Sequence, residues 1–256
     1  MDLGLHGKRA LVLGSSSGMG RAIAIGLADE GASVFVTGRD PQRLADSARD
    51  ANAAGSAIAD LTQPGEPERL VAAAETTLGG LDILVGNTGG GRPGGLADAG
   101  MAEVQQGFER MLLPQLATIM AAIPALRRSG SGRIIVLAAR SVLEASPELA
   151  LSSVFRSGVA AAARSLAIEL APDVTVNVVV PGQFDTGALR RFEEFTAEAE
   201  STSPEEVRKG LLAAIPLGRF GRPEEIADLV AFLAGSRASY LTGATIRIDG
   251  GLTRGF

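Results

Sequence analysis

The sequence predicts an α/β protein: one domain built on a doubly wound, seven-stranded parallel sheet with helices on both faces. Three observations lead there. Seven short β-rich runs are mostly continuously apolar rather than alternating, as strands covered on both faces must be. They alternate with helical patterns in a repeated βαβαβ order, which the right-handed crossover rule folds into a single parallel sheet. The chain has 256 residues, 46% hydrophobic and 21% charged, enough for one large core, and no linker, repeat or low-complexity block divides it.

Taken in order, ALVLG (10–14) is the first strand and leads through a glycine-rich turn into a helix over 18–30, closed by Gly31. SVFVTG (33–38) and a helix at 41–53 follow, then AIADL (57–61) and a helix at 67–78. DILVG (82–86) precedes GNTGGGRPGG (86–95), whose glycines demand an irregular loop, and then a long helix over 103–128. RIIVLA (133–138), a second long helix at 147–171 and VTVNVVV (174–180) complete the central part. A helix at 223–234 and the strand ATIRID (244–249) close the chain. The charged region 187–211 follows a strand's carboxyl end, where open α/β sheets bind ligands, and is expected to be a mobile substrate lid rather than a solvated insertion.

Composition removes whole classes of function. With a net charge of −5 and no basic run, the chain carries no electrostatic footprint for DNA or RNA. There is no cysteine, so disulfides, thiolate nucleophiles and Cys-metal sites are absent, and one histidine, His6, cannot build a metal cluster. No metal site is expected. No segment offers roughly 18 uninterrupted apolar residues for a membrane span, and the amino terminus is too short an apolar run for a secretory signal. The expectation is a cytoplasmic protein acting on a small-molecule substrate. His6 precedes the first strand and reads as a surface or edge residue.

The turn after strand one is Gly14-Ser15-Ser16-Ser17-Gly18-Met19-Gly20. Glycines at that point permit a tight turn and bring backbone amides close to a pyrophosphate, to which a helix N-terminus adds positive potential. Strand, glycine turn and helix in this order make the Rossmann dinucleotide-binding arrangement. At the end of strand two a carboxylate would bind the ribose hydroxyls of NAD. This chain has Thr37-Gly38-Arg39 instead, where an arginine suits the 2′-phosphate of NADP and no carboxylate is expected to repel it. NADP is expected over NAD.

These residues resemble the short-chain dehydrogenase/reductase family over essentially the whole chain. The resemblance is carried by the Gly14–Gly20 loop, Asp60-Leu61, Asn87-Thr88-Gly89 in place of the family's Asn-Ala-Gly, and Asn177, Pro181-Gly182 and Thr186 around strand six. The segment IPLGRFGRPEEIADLVAFLAGSRASYLTGATIRIDGG is similar to the 3-oxoacyl carrier-protein reductase branch. The resemblance implies that Asp60 and Leu61 contact the adenine, and that Asn87, Thr88 and Gly89 line the adenosine-side ribose. Pro181, Gly182 and Thr186 would serve the nicotinamide end. Two plainer readings stand beside these: Asp60 as a cap for the next helix, and Asn87 as a tie between strands four and five.

The family's mechanism, by the same resemblance, uses a tyrosine as acid or base, a lysine one turn later, an upstream serine and an asparagine on the preceding long helix. An ungapped alignment places Ser152 at the tyrosine, Arg156 at the lysine, Ala139 at the serine and Pro114 at the asparagine. No slip restores the pair, because the one tyrosine, Tyr240, and the two lysines, Lys8 and Lys209, lie elsewhere. Ser141 is the candidate replacement for the serine. A serine hydroxyl without a partner base is a poor proton donor beside a phenol of pKa about 10. A guanidinium cannot relay a proton either, yet its five donors suit a ribose or an anionic group. Ser152 and Arg156 share a helix face, and Arg140 offers a second cation. Pro114 keeps a helix bend without the amide.

Three functions follow as expectations: an NADP-dependent oxidoreductase acting on a carbonyl or alcohol by an atypical mechanism, a nucleotide-binding pseudoenzyme or partner subunit, and a non-redox enzyme on the same scaffold. The resemblance also implies a homotetramer or dimer built through the helices at 103–128 and 147–171.

Overall fold

The structure, a computed structural model, describes residues 1–91 and 93–254. Seven strands form one parallel sheet: β1 (Arg9–Val12), β2 (Ser33–Gly38), β3 (Gly55–Ile58), β4 (Ile83–Gly86), β5 (Gly132–Leu137), β6 (Val174–Pro181) and β7 (Thr245–Ile248). Their spatial order is β3-β2-β1-β4-β5-β6-β7. The chain winds outward from β1 to β3, then returns to the other side of β1 at β4. That reversal opens a crevice at the carboxyl ends of β1 and β4, where such sheets bind their ligands. Register there is direct, with Val12 beside Val36 on one side and Val85 on the other.

Alternation within the strands feeds two cores. Ile134 and Val136 of β5, with Val176 and Val178 of β6, face α3 (Glu66–Leu78), α5 (Leu113–Arg128) and α6 (Ala150–Glu169). Ile135, Leu137 and Val179 face α1 (Gly18–Asp29), α2 (Pro41–Asp50) and α9 (Pro223–Ala234). Every residue of β5 and β6 is buried, the polar Arg133, Thr175 and Asn177 included, and the rest of both strands is apolar or glycine. On the second face α1 and α9 approach through small side chains: a Cβ on Gly26 would lie 3.0 Å from that of Ala227.

The expected elements are present with four changes. The helix predicted over 103–128 is α4 (Met101–Gly107), a π-helical stretch (Phe108–Leu112) and α5. Pro114 supplies the reason: it has no N–H for the carbonyl one turn back and its ring crowds that turn, so the helix widens just before it. The helix predicted over 147–171 is shorter, running Ala150–Glu169. The strand at 57–61 instead spans Gly55–Ile58, because Asp60 folds its carboxylate onto Thr62 and turns the chain away. Finally, 187–211 holds two helices, α7 (Gly187–Glu200) and α8 (Pro204–Ala213), joined where Ser201 adopts φ +53°. Among the described residues no helix is long and apolar enough to cross a membrane, and no cluster of His, Cys, Asp or Glu is placed to hold a metal.

Candidate functional site

The glycine turn is built around two positive-φ residues, Gly14 at +58° and Gly18 at +54°, and one contact that only glycine tolerates. A Cβ on Gly20 would stand 2.3 Å from the Gly14 carbonyl oxygen. The turn is pinned from below by polar groups of β2 and α2. Ser15, fully buried, donates its hydroxyl to the Val12 carbonyl at 2.8 Å and accepts the Thr37 amide at 2.8 Å. Thr37 Oγ1 accepts the Gly14 amide at 3.2 Å, and Ser47 Oγ donates to the Ser15 carbonyl at 2.6 Å. Sequence reading had given neither Thr37 nor Ser47 a part in this loop.

Above the turn, α1 begins without a side-chain cap: Ser17 makes no capping hydrogen bond, and the first turn holds no acidic residue. Its amides therefore lack both carbonyl partners of their own helix and a competing carboxylate, which is the electrostatic requirement for a pyrophosphate. Met19 is half-buried against the α1-side core, while Ser16 packs its Cβ over Gly38. Thr186, from beyond β6, comes to the same spot: a Cβ on Gly18 would sit 3.6 Å from the Thr186 Cβ. Thr186 also caps α7, accepting the Leu189 amide at 3.4 Å.

At the adenosine end Arg39 is exposed at the carboxyl end of β2, beside a shallow depression it lines with Asp40, Pro41 and Gln42. Two carboxylates are nearby, contrary to the expectation of none. Asp40 accepts the Arg43 amide at 2.9 Å as the cap of α2, and Asp60 lies close enough to feel the Arg39 charge. Hydrogen bonds from Thr62, then Gln63, with the more distant Arg39, hold the Asp60 carboxyl below its usual range against the cost of burial. Asp60 does not cap α3, whose N-terminus begins at Gly65. Leu61 follows it, half-buried at the rim.

The opposite corner gathers Asn87, Thr88, Gly89, Ser141, Ser152 and Arg156. Asn87 Nδ2 donates to the Gly14 carbonyl at 3.3 Å, so it ties β4 to the turn after β1, not to β5. Gly89 and Gly90 face open space, with nothing within 4 Å of a Cβ built on either. Arg156 reaches under this loop. Its Nη2 donates to the carbonyls of Thr88 (3.0 Å) and Gly89 (3.3 Å), and its Nη1 to those of Leu137 (3.1 Å) and Ala138 (3.5 Å). The guanidinium thus clamps the end of β4 to the end of β5. No carboxylate among the described residues pairs with it, and burial pulls its pKa down to about 10, still a cation at neutral pH.

Ser152, one turn earlier on α6, is buried on the same face. Ser141 sits in a single 3₁₀ turn (Arg140–Val142) directly after β5, and its buried hydroxyl has no partner. Ala139 begins that turn. Arg140 is not a free cation: Glu144 (3.3 Å) and Glu148 (3.9 Å) both pair with it. One residue that sequence reading passed over stands here as well, Gln115 of α5, which donates Nε2 to Thr88 Oγ1 at 2.9 Å. Pro181 ends β6, and Gly182 is pressed so closely on Asp249 that a Cβ would stand 2.7 Å from its Cα.

Two further segments follow the carboxyl ends of β4 and β6. The glycine loop, described except for Arg92, is tied to the start of α6, where Gly94 donates its amide to the Glu148 carbonyl at 2.7 Å. The α7–α8 pair is held by Arg208, which bonds Glu193 at 2.9 Å and Asp185 at 3.3 Å and lies 4.5 Å over the Phe220 ring. The residues present fit a dinucleotide: an uncapped helix N-terminus, a glycine turn closed to side chains, an exposed arginine after β2 and an open glycine floor after β4.

Comparison with known proteins agrees with that geometry. A family model described as enoyl-(acyl carrier protein) reductase matches residues 14–253. The chain is 34% identical over 256 residues to the rhamnolipid-biosynthesis 3-oxoacyl-[acyl-carrier-protein] reductase of Pseudomonas aeruginosa, covering 96% of each. It is 32% identical over 253 residues to the 3-oxoacyl-[acyl-carrier-protein] reductase FabG of Escherichia coli, covering 98% of this chain and 99% of that one. The crystal structure of L-sorbose reductase from Gluconobacter frateurii, complexed with NADPH and L-sorbose, superposes with a TM-score of 0.93 at 28% identity over the whole of both chains. The chain belongs to the short-chain dehydrogenase/reductase family.

Proposed function

We propose that the protein binds NADP in the β1/β4 crevice and acts as an oxidoreductase on a carbonyl or alcohol of a small molecule, without a tyrosine–lysine pair. The observation that carries this reading is the uncapped first turn of α1 above a turn in which Gly20 admits no side chain. Arg39 and the NADPH named with the Gluconobacter reductase support NADP over NAD, since an exposed guanidinium can pair with the 2′-phosphate.

When bound, the dinucleotide supplies or accepts the hydride, and the protein's share is orientation and electrostatics. Arg156 fixes the 88–89 floor of the site and places a buried positive charge beneath it. The partnerless Ser141 hydroxyl, with Ser152, is available to orient the substrate oxygen. None of these groups is a good acid at neutral pH, so the proton on the product alcohol comes from solvent.

A second reading has its own observation. Arg156 spends four hydrogen bonds on carbonyls, which suits a protein that binds nucleotide without turning it over. Titration with NADPH, followed by a panel of ketones and 3-oxoacyl thioesters, separates the two. The first reading expects binding and loss of reduced-nicotinamide absorbance with at least one substrate. Binding with none favours the second, and absence of binding contradicts both.

A further inference from the structure

Thr88 stands where the family resemblance leads one to expect alanine, and Gln115 on α5 is 1% exposed, an amide almost never left buried without a partner. The two meet: Gln115 Nε2 donates to Thr88 Oγ1 at 2.9 Å. An alanine at 88 would leave that buried amide without an acceptor, so the two residues make sense only together. Gln115 Oε1 has no partner and lies over β4, 3.0 Å from where a Cβ on Gly86 would be. The bond to Thr88 is therefore what orients the amide.

From Thr88 the connection continues through the main chain, since its carbonyl accepts Arg156 Nη2 at 3.0 Å. The helix geometry aims Gln115 at this loop. Its neighbour one turn back, Met111, is buried too and reaches the same loop, where a Cβ on Gly91 would touch its Cε at 2.8 Å. The π-helical stretch that precedes Pro114 sets the rotation of α5 that presents both residues to 86–91.

We infer that Gln115 is a positioning residue: acting through Thr88, it holds the 88–89 main chain on the Arg156 clamp and so sets the glycine floor of the site. The brace is an amide, a hydroxyl and a guanidinium, none of which gives up or takes up a proton near neutrality, so it acts as a fixed support. Its effect on nucleotide binding rests on the proposed function; the brace itself does not.

Gln115→Leu, Thr88→Val, Thr88→Ser and the Gln115→Leu/Thr88→Val double variant test it, by amide hydrogen exchange at 89–91 without ligand and by NADPH affinity. Each of the first two is expected to speed exchange at 89–91 and to weaken NADPH binding about tenfold, the size of one neutral hydrogen bond. The double variant should be no worse than the weaker-binding single, because both cut the same link. Thr88→Ser, which keeps the hydroxyl, should match the parent on both measures and shows that the fold tolerates change at 88. Additive losses in the double variant, or unchanged exchange at 89–91 in Gln115→Leu and Thr88→Val, would overturn the proposal. Faster exchange in these variants of a protein that does not bind NADPH would uphold the brace and sink the nucleotide reading instead.

Discussion

The ungapped alignment sets Arg156 where the resemblance leads one to expect a lysine, and its surroundings suit a structural clamp. A guanidinium delocalises its charge and presents donors in a fork, so it can meet four carbonyls from two strand ends at once, where an ammonium with three donors cannot. Removing it leaves the buried Leu137 and Ala138 carbonyls without this donor, at about 1–3 kcal/mol each for any that water does not reach. Arg156→Ala is expected to lower the unfolding free energy by about 2–4 kcal/mol in urea denaturation, with Arg156→Lys intermediate. A change below about 0.5 kcal/mol would mean that the clamp does not hold the strand ends together. Arg39 is the opposite case, exposed at the carboxyl end of β2. Arg39→Asp is expected to move the NADPH/NADH affinity ratio at least about tenfold towards NADH, roughly 1.4 kcal/mol, and an unchanged ratio would remove its assignment to the 2′-phosphate.

At the scale of elements, the sheet was legible because burial on both faces leaves a plain signature: β4 and the 134–137 stretch of β5 are buried apolar runs with no alternation. The glycine turn was legible for a steric reason, since positive φ at Gly14 and Gly18 and the contact at Gly20 leave other residues little room. What sequence could not supply were pairings between distant elements. Gln115 with Thr88, Arg208 with Glu193 and Asp185, and the Arg156 fork each depend on where two helices or loops dock, which no local period encodes. The π-helical stretch had a local signal, Pro114, that was read as a bend and is a change of winding. The N-terminus of α9 gives an element-level prediction of its own. Hydrogen bonding from the Arg219 side chain, then from the Arg222 amide, pulls Glu225 from 4.5 down to about 2. A depressed carboxylate contributes stability that is present above its unfolded value and lost as pH falls through the folded one. Glu225→Gln should therefore lower Tm at pH 7 by a few degrees, with the gap closing between about pH 4.5 and pH 2. A gap that persists at pH 2 would contradict the ion-pair account.

For the molecule as a whole, α5 and α6 carry apolar side chains that the rest of the chain does not cover. Leu113 and Met120 lie on α5, and Val154 and Ile168 on α6, all exposed. This supports the expectation of a dimer or tetramer built through these helices. Met120→Glu, placing a charge in that face, is expected to shift light-scattering mass towards the monomer at low protein concentration, and an unchanged assembly would place the interface elsewhere. In the proposed function, the crevice that would hold a dinucleotide adjoins a corner where no tyrosine or lysine stands among the described residues. In that function hydride still moves there, with solvent as the proton source. The most direct test uses NADPH deuterated at the transferable position of its nicotinamide, incubated with the protein and a carbonyl substrate from the panel. The account predicts deuterium on the carbinol carbon of the product; bound NADPH with no label in any product would contradict it.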